Sequence, residues 1–479
     1  MIGPLRRVMM TLALAVLALG AAAACAHATL VLGALGGSGT CLLRAGAPAI
    51  AGCARVPALD GVIVASPDGR DVYIGSFFDV RLVLLRRNPR TGAVHEAAGI
   101  NGCFGGPSTY QPRLRCRRPA YHVGGPVDAL AISPNGRWLY MSQSGVLTVL
   151  RRDPRTGLVS SVRASGGCLA DIGSKVRGCS PVLHGVAALA ASPDGRSLYT
   201  GGYESIDVLH IDPHDGTLHP LAGKRACLGE NPRNSDDRGC TDARGLGGVE
   251  AITVAPDGKD VYVAAPESHG IGAFRRAPSG ALTQTVQYPC LTEDAGDPFS
   301  PDGAPGACQD GKALDGPLAL VVSPDGRRIY VASDGQNGTA VADSGALSVI
   351  LRDPRTGAIR QGPCLTTDGT DPSDPDRGTC AALALIGDPA DIALTDGGGT
   401  LLLGTSAVLG PANLSRSLVL ALPVAGGDPV PTGFACVADG VPPACAVAPS
   451  IGTELALEPG GHQITTLQED HLQVLHLQG

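Results

Sequence analysis

Short runs of Val, Leu, Ile and Ala alternate along this chain with clusters of Ser, Pro, Asp and Gly, a strand-and-turn pattern with no sustained helical period. One stretch shows the unit. Residues 129–132 are apolar and run into the turn Ser133-Pro134-Asn135-Gly136, and a second run ends in Tyr, Arg137-Trp138-Leu139-Tyr140. A third apolar run, 146–150, leads to Asp153-Pro154-Arg155-Thr156-Gly157, where Pro presets φ and Gly takes the left-handed position of a hairpin. A weaker fourth run, 158–163, then enters a cysteine-containing loop.

The unit repeats. Ser66-Pro67-Asp68-Gly69, Ser192-Pro193-Asp194-Gly195, Ala255-Pro256-Asp257-Gly258 and Ser323-Pro324-Asp325-Gly326 match the first turn, and degraded copies stand at 395–399 and 458–461, at intervals of 59 to 72 residues. Four antiparallel strands repeated seven times predict an all-β, seven-bladed β-propeller. Only three strands follow Cys445 (455–457, 463–467 and 472–475), while an orphan strand, 29–34, opens the mature chain. The N-terminal strand is therefore expected to complete the last blade, making residues 29–479 one closed domain. A linear solenoid would need polar capping repeats. Tyr73, Tyr140, Tyr199, Tyr262 and Tyr330 share one repeat position and are expected to pack between blades.

Composition agrees with many tight turns: 67 Gly and 38 Pro among 479 residues, with only 9 Tyr, 6 Phe and 1 Trp. The formal charge of −7 and a scattered set of arginines give no global attraction to nucleic acid. Residues 1–28 combine Arg6 and Arg7, an apolar stretch and Ala26-His27-Ala28, the pattern of a secretory signal peptide. Cys25 follows three alanines, so a lipid anchor there is the alternative to simple secretion, and no later run is long enough to span a membrane. The other 14 cysteines form neighbouring pairs, Cys41/Cys53, Cys103/Cys116, Cys168/Cys179, Cys227/Cys240, Cys290/Cys308, Cys364/Cys380 and Cys436/Cys445. In an oxidising compartment this even, recurrent spacing predicts one disulfide per repeat, and no Cys-x-x-Cys favours zinc.

The signature Ser-Pro-Asp-Gly-Arg-x-[Val/Ile/Leu]-Tyr followed by Asp-Pro-Arg-Thr-Gly resembles the seven-bladed lactonase-like propeller family. That family's best-known activity is hydrolysis of 6-phosphogluconolactone, and it also includes a muconate cyclase and surface repeat proteins. The resemblance implies the propeller fold over most of 29–479. Its motifs are turn residues, so it carries no catalytic residue onto this chain. Export, a Cys pair per blade and a long repeat depart from the family pattern. They point to an extracytoplasmic branch and argue against an intracellular phosphosugar lactone as substrate.

Both recurrent turns fall on one face of such a propeller. The opposite face carries the Cys loops and the variable second-to-third strand loops, where function is expected. Residues opening the innermost strands, Asp60, Asp128, His184, Glu250, Asp391 and Glu454, are candidates for the channel mouth. Converging carboxylates, Asp128 and Glu250 first, could hold a cation such as Ca²⁺ and polarise a lactone carbonyl; the alternative is a solvated acidic rim. The loops around Glu293, Asp294, Asp297 and Asp302, and around Asp368, Asp371, Asp374 and Asp376, are acid-rich but lack Ca²⁺-loop spacing. His210, His214 and His219 lie at a hairpin of the structural face without a metal pattern, and Asn337 and Asn413 open glycosylation-type tripeptides. The expectation is a secreted or surface-tethered monomer binding an extracellular ligand or protein through its Cys-loop face. An extracytoplasmic lactonase-like hydrolase working at the channel mouth is the alternative.

Overall fold

The computed structural model describes residues 31–34, 41–44, 53–56, 59–78, 81–106, 115–121, 124–230, 239–284, 289–296, 307–335, 345–371, 379–409, 414–432, 434–438, 445–447, 453–468 and 471–478. The segment 1–28 and Cys25 lie outside them. Seven antiparallel sheets follow in chain order, within 62–105, 127–183, 188–242, 251–310, 317–382 and 388–447, with the seventh built from both ends of the chain. The seven-bladed propeller read from the repeats is the observed fold. In the last blade, Val31–Ala34 and Cys41–Arg44 both pair antiparallel with His471–Gln478, so the N-terminal segment closes the ring as expected.

The blades differ from a plain four-stranded unit in two ways. The outer strand is broken in all but blade 5, where Ile359–Thr366 is continuous: in blade 2 Val159–Ser161 and Cys168–Asp171 pair separately with Val146–Arg152. The Cys loop then adds a short parallel segment, Ser180–Leu183 beside Cys168–Asp171. The disulfides explain the addition. Each predicted pair is bonded, Cys41 to Cys53, Cys103 to Cys116, Cys168 to Cys179, Cys227 to Cys240, Cys290 to Cys308, Cys364 to Cys380 and Cys436 to Cys445, with Cα atoms 4.6–4.9 Å apart.

In every blade the second cysteine stands immediately before the parallel segment. Cys53 precedes Ala54–Val56, Cys179 precedes Ser180–Leu183, Cys240 precedes Thr241–Asp242, Cys308 precedes Gln309–Asp310, Cys380 precedes Ala381–Ala382 and Cys445 precedes Ala446–Val447. In blade 1 Cys116 precedes Arg117, which makes a single parallel bridge to Phe104. The bond thus sets the returning loop beside the outer strand, and the backbone hydrogen bonds follow.

Each Ser-Pro-Asp-Gly turn is held from within. Ser66 Oγ donates to Asp68 at 2.6 Å and accepts the Asp71 N–H at 3.0 Å, and Gly69 takes φ +65°. The apolar strand faces form a ring of seams, each cluster drawing on two neighbouring blades and the seventh joining blade 7 to blade 1. The five repeat tyrosines lie in these seams and are at most 1% exposed, as expected.

A polar clamp crosses the same seams. One backbone bond, from the end of the third strand to the residue after the turn glycine, identifies the repeat position: Arg87, Arg152, Ile211, Arg276, Arg352, Val424 and Leu477. Arg152 reaches back into blade 1, donating to Asp68 at 2.9 Å, to the Tyr73 hydroxyl at 3.0 Å and to Asp71. Arg276 does the same to Asp194 and Tyr199, and Arg352 to Asp257, Asp260 and Tyr262. The turn glycine of the next blade completes the fit: Tyr73 Oη donates to Gly157 O at 2.6 Å, and a Cβ on Gly157 would stand 2.6 Å from Asp71.

Where the arginine is missing, its partners change with it. Ile211 faces blade 2, whose turn carries Asn135 for Asp and whose second strand carries Trp138 where Asp71 stands in blade 1. Val424 faces Arg328, which reaches the other way to Asp428 and Gly426. Leu477 packs with Leu402 in a wholly apolar cluster. At the ring's closure Arg87 meets Glu458 and Gln463 of blade 7.

Arg152 and Asp71 are both almost fully buried, so Arg152→Ala strips Asp71 Oδ2 of its partner and leaves only Arg86, on Oδ1. It is expected to cost about 3–5 kcal/mol in urea unfolding. Arg328→Ala, at a half-exposed pair, is expected to cost under about 1 kcal/mol.

Candidate functional site

Most of the turn face is consumed by these clamps. The loop face carries the disulfide-pinned connectors and four of the most exposed large apolar side chains: Phe77 and Phe78 after the second strand of blade 1, Tyr203 at the equivalent loop of blade 3, and Ile172 beyond the outer strand of blade 2. Phe77 and Phe78 stack edge to face at 5.4 Å. Tyr203 is 62% exposed in a chain whose repeat tyrosines are buried. The paired cysteines, Cys53, Cys116, Cys179, Cys308 and Cys380 among them, position these connectors; held as disulfides, they offer neither a nucleophile nor a thiolate ligand.

The six channel-mouth candidates do not share one position. Counting from the repeat tyrosines, Ala129 pairs with Ser142 and Ala251 with Ala264, which puts Asp128 and Glu250 in register one residue before them. Asp391 pairs with Gly404 and Glu454 with Leu467, one residue further into their strands. Asp391 and Glu454 are thus paired strand residues, whereas Asp128 stands unpaired in a bulge between Val127 and Ala129. Asp60 is 1% exposed and accepts from Ser76 Oγ at 2.8 Å and Phe78 N at 2.9 Å, a loop-anchoring role. His184 precedes its strand by several residues.

Asp391 and Glu454 occupy the same register in consecutive blades, and Asp391 accepts the Leu455 N–H at 2.8 Å across the seam. Burial raises both carboxyl pKa values, and the charge of Asp391 raises that of Glu454 further. Glu250 is raised by desolvation and then by Glu267.

Asp128 and His184 do come near each other, through residues that the repeat alignment passed over. Asp171, three residues after Cys168, is pushed up to about 6 by burial, then by the charges of Asp207 and Asp128, with His184 acting against them. Its Oδ1 is buried without a hydrogen-bond partner among the described residues. Asp207 lies opposite Cys227, where Thr148, Gly272 and Ser348 stand opposite the cysteines of blades 2, 4 and 5. It accepts the His184 N–H at 2.9 Å and meets its Nδ1 at 2.7 Å, turning Nε2 to within 3.6 Å of Cys240 Sγ. His184, Cys227 and Cys240 are the one trio of potential metal donors brought together among the described residues, but the two cysteines are bonded to each other. A second pair, His269 Nδ1 to Asp315 Oδ1 at 2.7 Å, bridges blades 4 and 5; the Asp315 bond raises the histidine pKa against burial. The signal for these acids was the run Cys-Leu-x-acid, which ends in Asp171, Glu230 and Glu293.

The described parts of the acid-rich loops fold on themselves. Asp294 accepts the Gly296 N–H, and Asp368 accepts from Thr370 N and Oγ1. Asp297, Asp302, Asp374, Asp376, Asn337 and Asn413 lie outside the described residues. Three clefts, of about 510, 580 and 280 Å³, open on the flank and turn side, and none of the six candidates lines them.

No family model and no curated protein matches this chain. Solved structures do. Pseudomonas aeruginosa periplasmic gluconolactonase aligns at 18% identity over 83% of this chain and 88% of its own, with a TM-score of 0.46. A candidate 6-phosphogluconolactonase of Bacteroides uniformis aligns at 17% over 77% and 82%, TM-score 0.47. Kuenenia stuttgartiensis hydrazine synthase aligns at 15% over 90% and 99%, TM-score 0.48. The likeness is one of fold. Proteins described by such different activities leave the function to be argued from this chain's own residues.

The Asp171 shift sets a pH dependence. A carboxyl whose folded pKa lies above its unfolded value contributes less stability as pH rises between the two. Unfolding free energy is therefore expected to fall from about pH 4 to pH 6, by on the order of 2 kcal/mol from this group. Asp171→Asn is expected to flatten that decline in urea titrations at successive pH values.

Proposed function

We propose that this chain is an extracytoplasmic binding module that engages its ligand or partner protein through the disulfide-pinned loop face. One observation carries the reading: Phe77, Phe78, Tyr203 and Ile172 stand exposed on the face where the disulfides hold each connector in place, while the opposite face spends its recurrent side chains on seams. Pinned loops lose little entropy on binding, and exposed aromatics supply contact area at low rotamer cost. Glu204 and Glu267 beside Tyr203, with Glu250 near Glu267, supply polar contacts to the same partner.

A lactone-hydrolysing activity is the second reading, favoured by one feature, the proton-holding Asp171 beside the His184–Asp207 pair. A group titrating near 6 can give and take a proton as water adds to a lactone carbonyl carbon, the ring C–O bond breaks and the hydroxy acid forms.

Labelled, fully oxidised protein is expected to bind envelope preparations of its producing cell saturably. Phe77→Ala/Phe78→Ala/Tyr203→Ala should weaken that binding about tenfold or more, while the turn-face change Arg90→Ala/Arg155→Ala leaves it intact. Equal binding by the two variants would remove the loop face as the contact. In parallel, a lactone panel with and without Ca²⁺ should show no turnover; turnover abolished by Asp171→Asn would establish the hydrolase instead.

A further inference from the structure

The seam between blades 2 and 3 lacks its clamp, and the change leaves unmet groups of one kind. In blades 1 and 4 the residue before the clamp position, Arg86 or Arg275, pairs in register with Asp71 or Asp260 and binds it. In blade 2 the same position, Arg151, is paired in register with Trp138, so it has no carboxylate to meet. Arg151 is exposed and has no ion pair among the described residues; the same is true of Arg137. The indole of Trp138 is 5% exposed, and its Nε1–H has no acceptor among the described residues; the buried Tyr140 hydroxyl behind it has no partner there either. A buried N–H without an acceptor is uncommon and costly.

Arg137, Trp138 and Arg151 border a cleft of about 580 Å³, within the range of ligand sites, that Ser160, Ser161 and His214 also line. Asp215 also lines it; its Oδ1 accepts from Thr217 N at 3.0 Å and Thr217 Oγ1 at 2.7 Å, and its charge is faced by His219 and His214. Asp153, on the adjoining turn, accepts the Arg155 N–H. A smaller cleft of about 280 Å³ also borders Ser160 and Ser161 and adds Arg117, Arg118 and Arg163. Five arginines outside the clamps are thus gathered on one flank of a chain whose net charge is −7.

Guanidinium groups without carboxylates, hydroxyls, and an indole N–H without an acceptor are the complement of oxyanions. We infer that this cleft binds a ligand bearing carboxylate, sulfate or phosphate groups, as a free acid or as units of an acidic chain laid across both clefts. The site is distinct from the loop face, and it needs no catalytic step.

Trp138 is the only tryptophan in the chain, so its emission reports on this cleft alone. Glucuronate, inorganic phosphate and an oligogalacturonate are the probes, with glucose as the uncharged control. The acids are expected to change Trp138 emission saturably, with a Kd of about 1 mM or tighter, and glucose to leave it unchanged. Arg137→Ala/Arg151→Ala should weaken the response about tenfold or more, with the urea midpoint unchanged because neither side chain holds the fold. Oligogalacturonate binding more tightly than glucuronate, with the gain lost in Arg117→Ala/Arg118→Ala, assigns an acidic chain; equal affinities assign a free acid. No saturable response to any acid, or the same response in the Arg137→Ala/Arg151→Ala variant, overturns the inference.

Discussion

Four of the seven seams are registered by the arginine that ends the third strand and reaches back into the preceding blade. Seven sheets packed face to face would be held by apolar contact alone at almost any small rotation, since Val, Leu and Ile impose little direction. The clamp is directional. Arg152 must satisfy Asp68, Asp71, the Tyr73 hydroxyl and the Gly136 carbonyl of its own blade at once, which only one relative placement of the two blades allows. Burying such an ion pair yields little net stability, because desolvation cancels most of the attraction; its contribution is registry. Burial works against ionisation of Asp194 and Asp257, yet the hydrogen bonds from Ser192 and the Lys259 N–H, together with Arg276 and Arg352, bring both net pKa values down.

The disulfides solve a different problem. The connector from the outer strand of one blade must travel back to the centre of the next, and a long, polar, glycine-rich connector has little apolar surface to hold it. Pinning it at its start to the outer strand, and pairing it as a short parallel strand, confines each connector to the loop face. That confinement also desolvates the acids beside the cysteines. Asp171 and Glu230 sit three residues after a pinned cysteine, and Glu230 is fully buried, its carboxylate accepting the Leu246 N–H at 2.5 Å. Carboxylates with raised pKa values on this face are therefore partly a by-product of how the loops are held, which is why they support a binding reading more readily than a catalytic one.

The fold was legible because it is repetitive. Seven turns, seven cysteine pairs and five aligned tyrosines each report the same period, and the chain ends supply the closing strand. The channel-mouth residues were not legible to the same degree, because register within a blade is set by tertiary pairing. A bulge stands at the same place in blades 2 and 6, leaving Asp128 unpaired in one and Ala390 in the other, so Asp391 falls one position further along its strand than Asp128. Asp207, the partner of the candidate His184, was hidden for another reason. Their partnership spans 23 residues, from an inter-blade connector to a third strand, and neither occupies a repeat motif.

What distinguishes this chain from an idealised propeller is therefore found where the repeat fails. A repeated residue serves the ring, and its chemistry is spent on a neighbour. At the seam between blades 2 and 3 the loss of one arginine is matched by the loss of its two acidic partners, yet Arg151 and the Trp138 N–H remain with nothing to bind among the described residues. A purely structural repair would have replaced Arg151 with an uncharged residue, as Ile211, Val424 and Leu477 replace the clamp itself. Arg151 is instead left exposed beside a cleft that Arg137 and Trp138 also line, and it is this juxtaposition that supports an external anion.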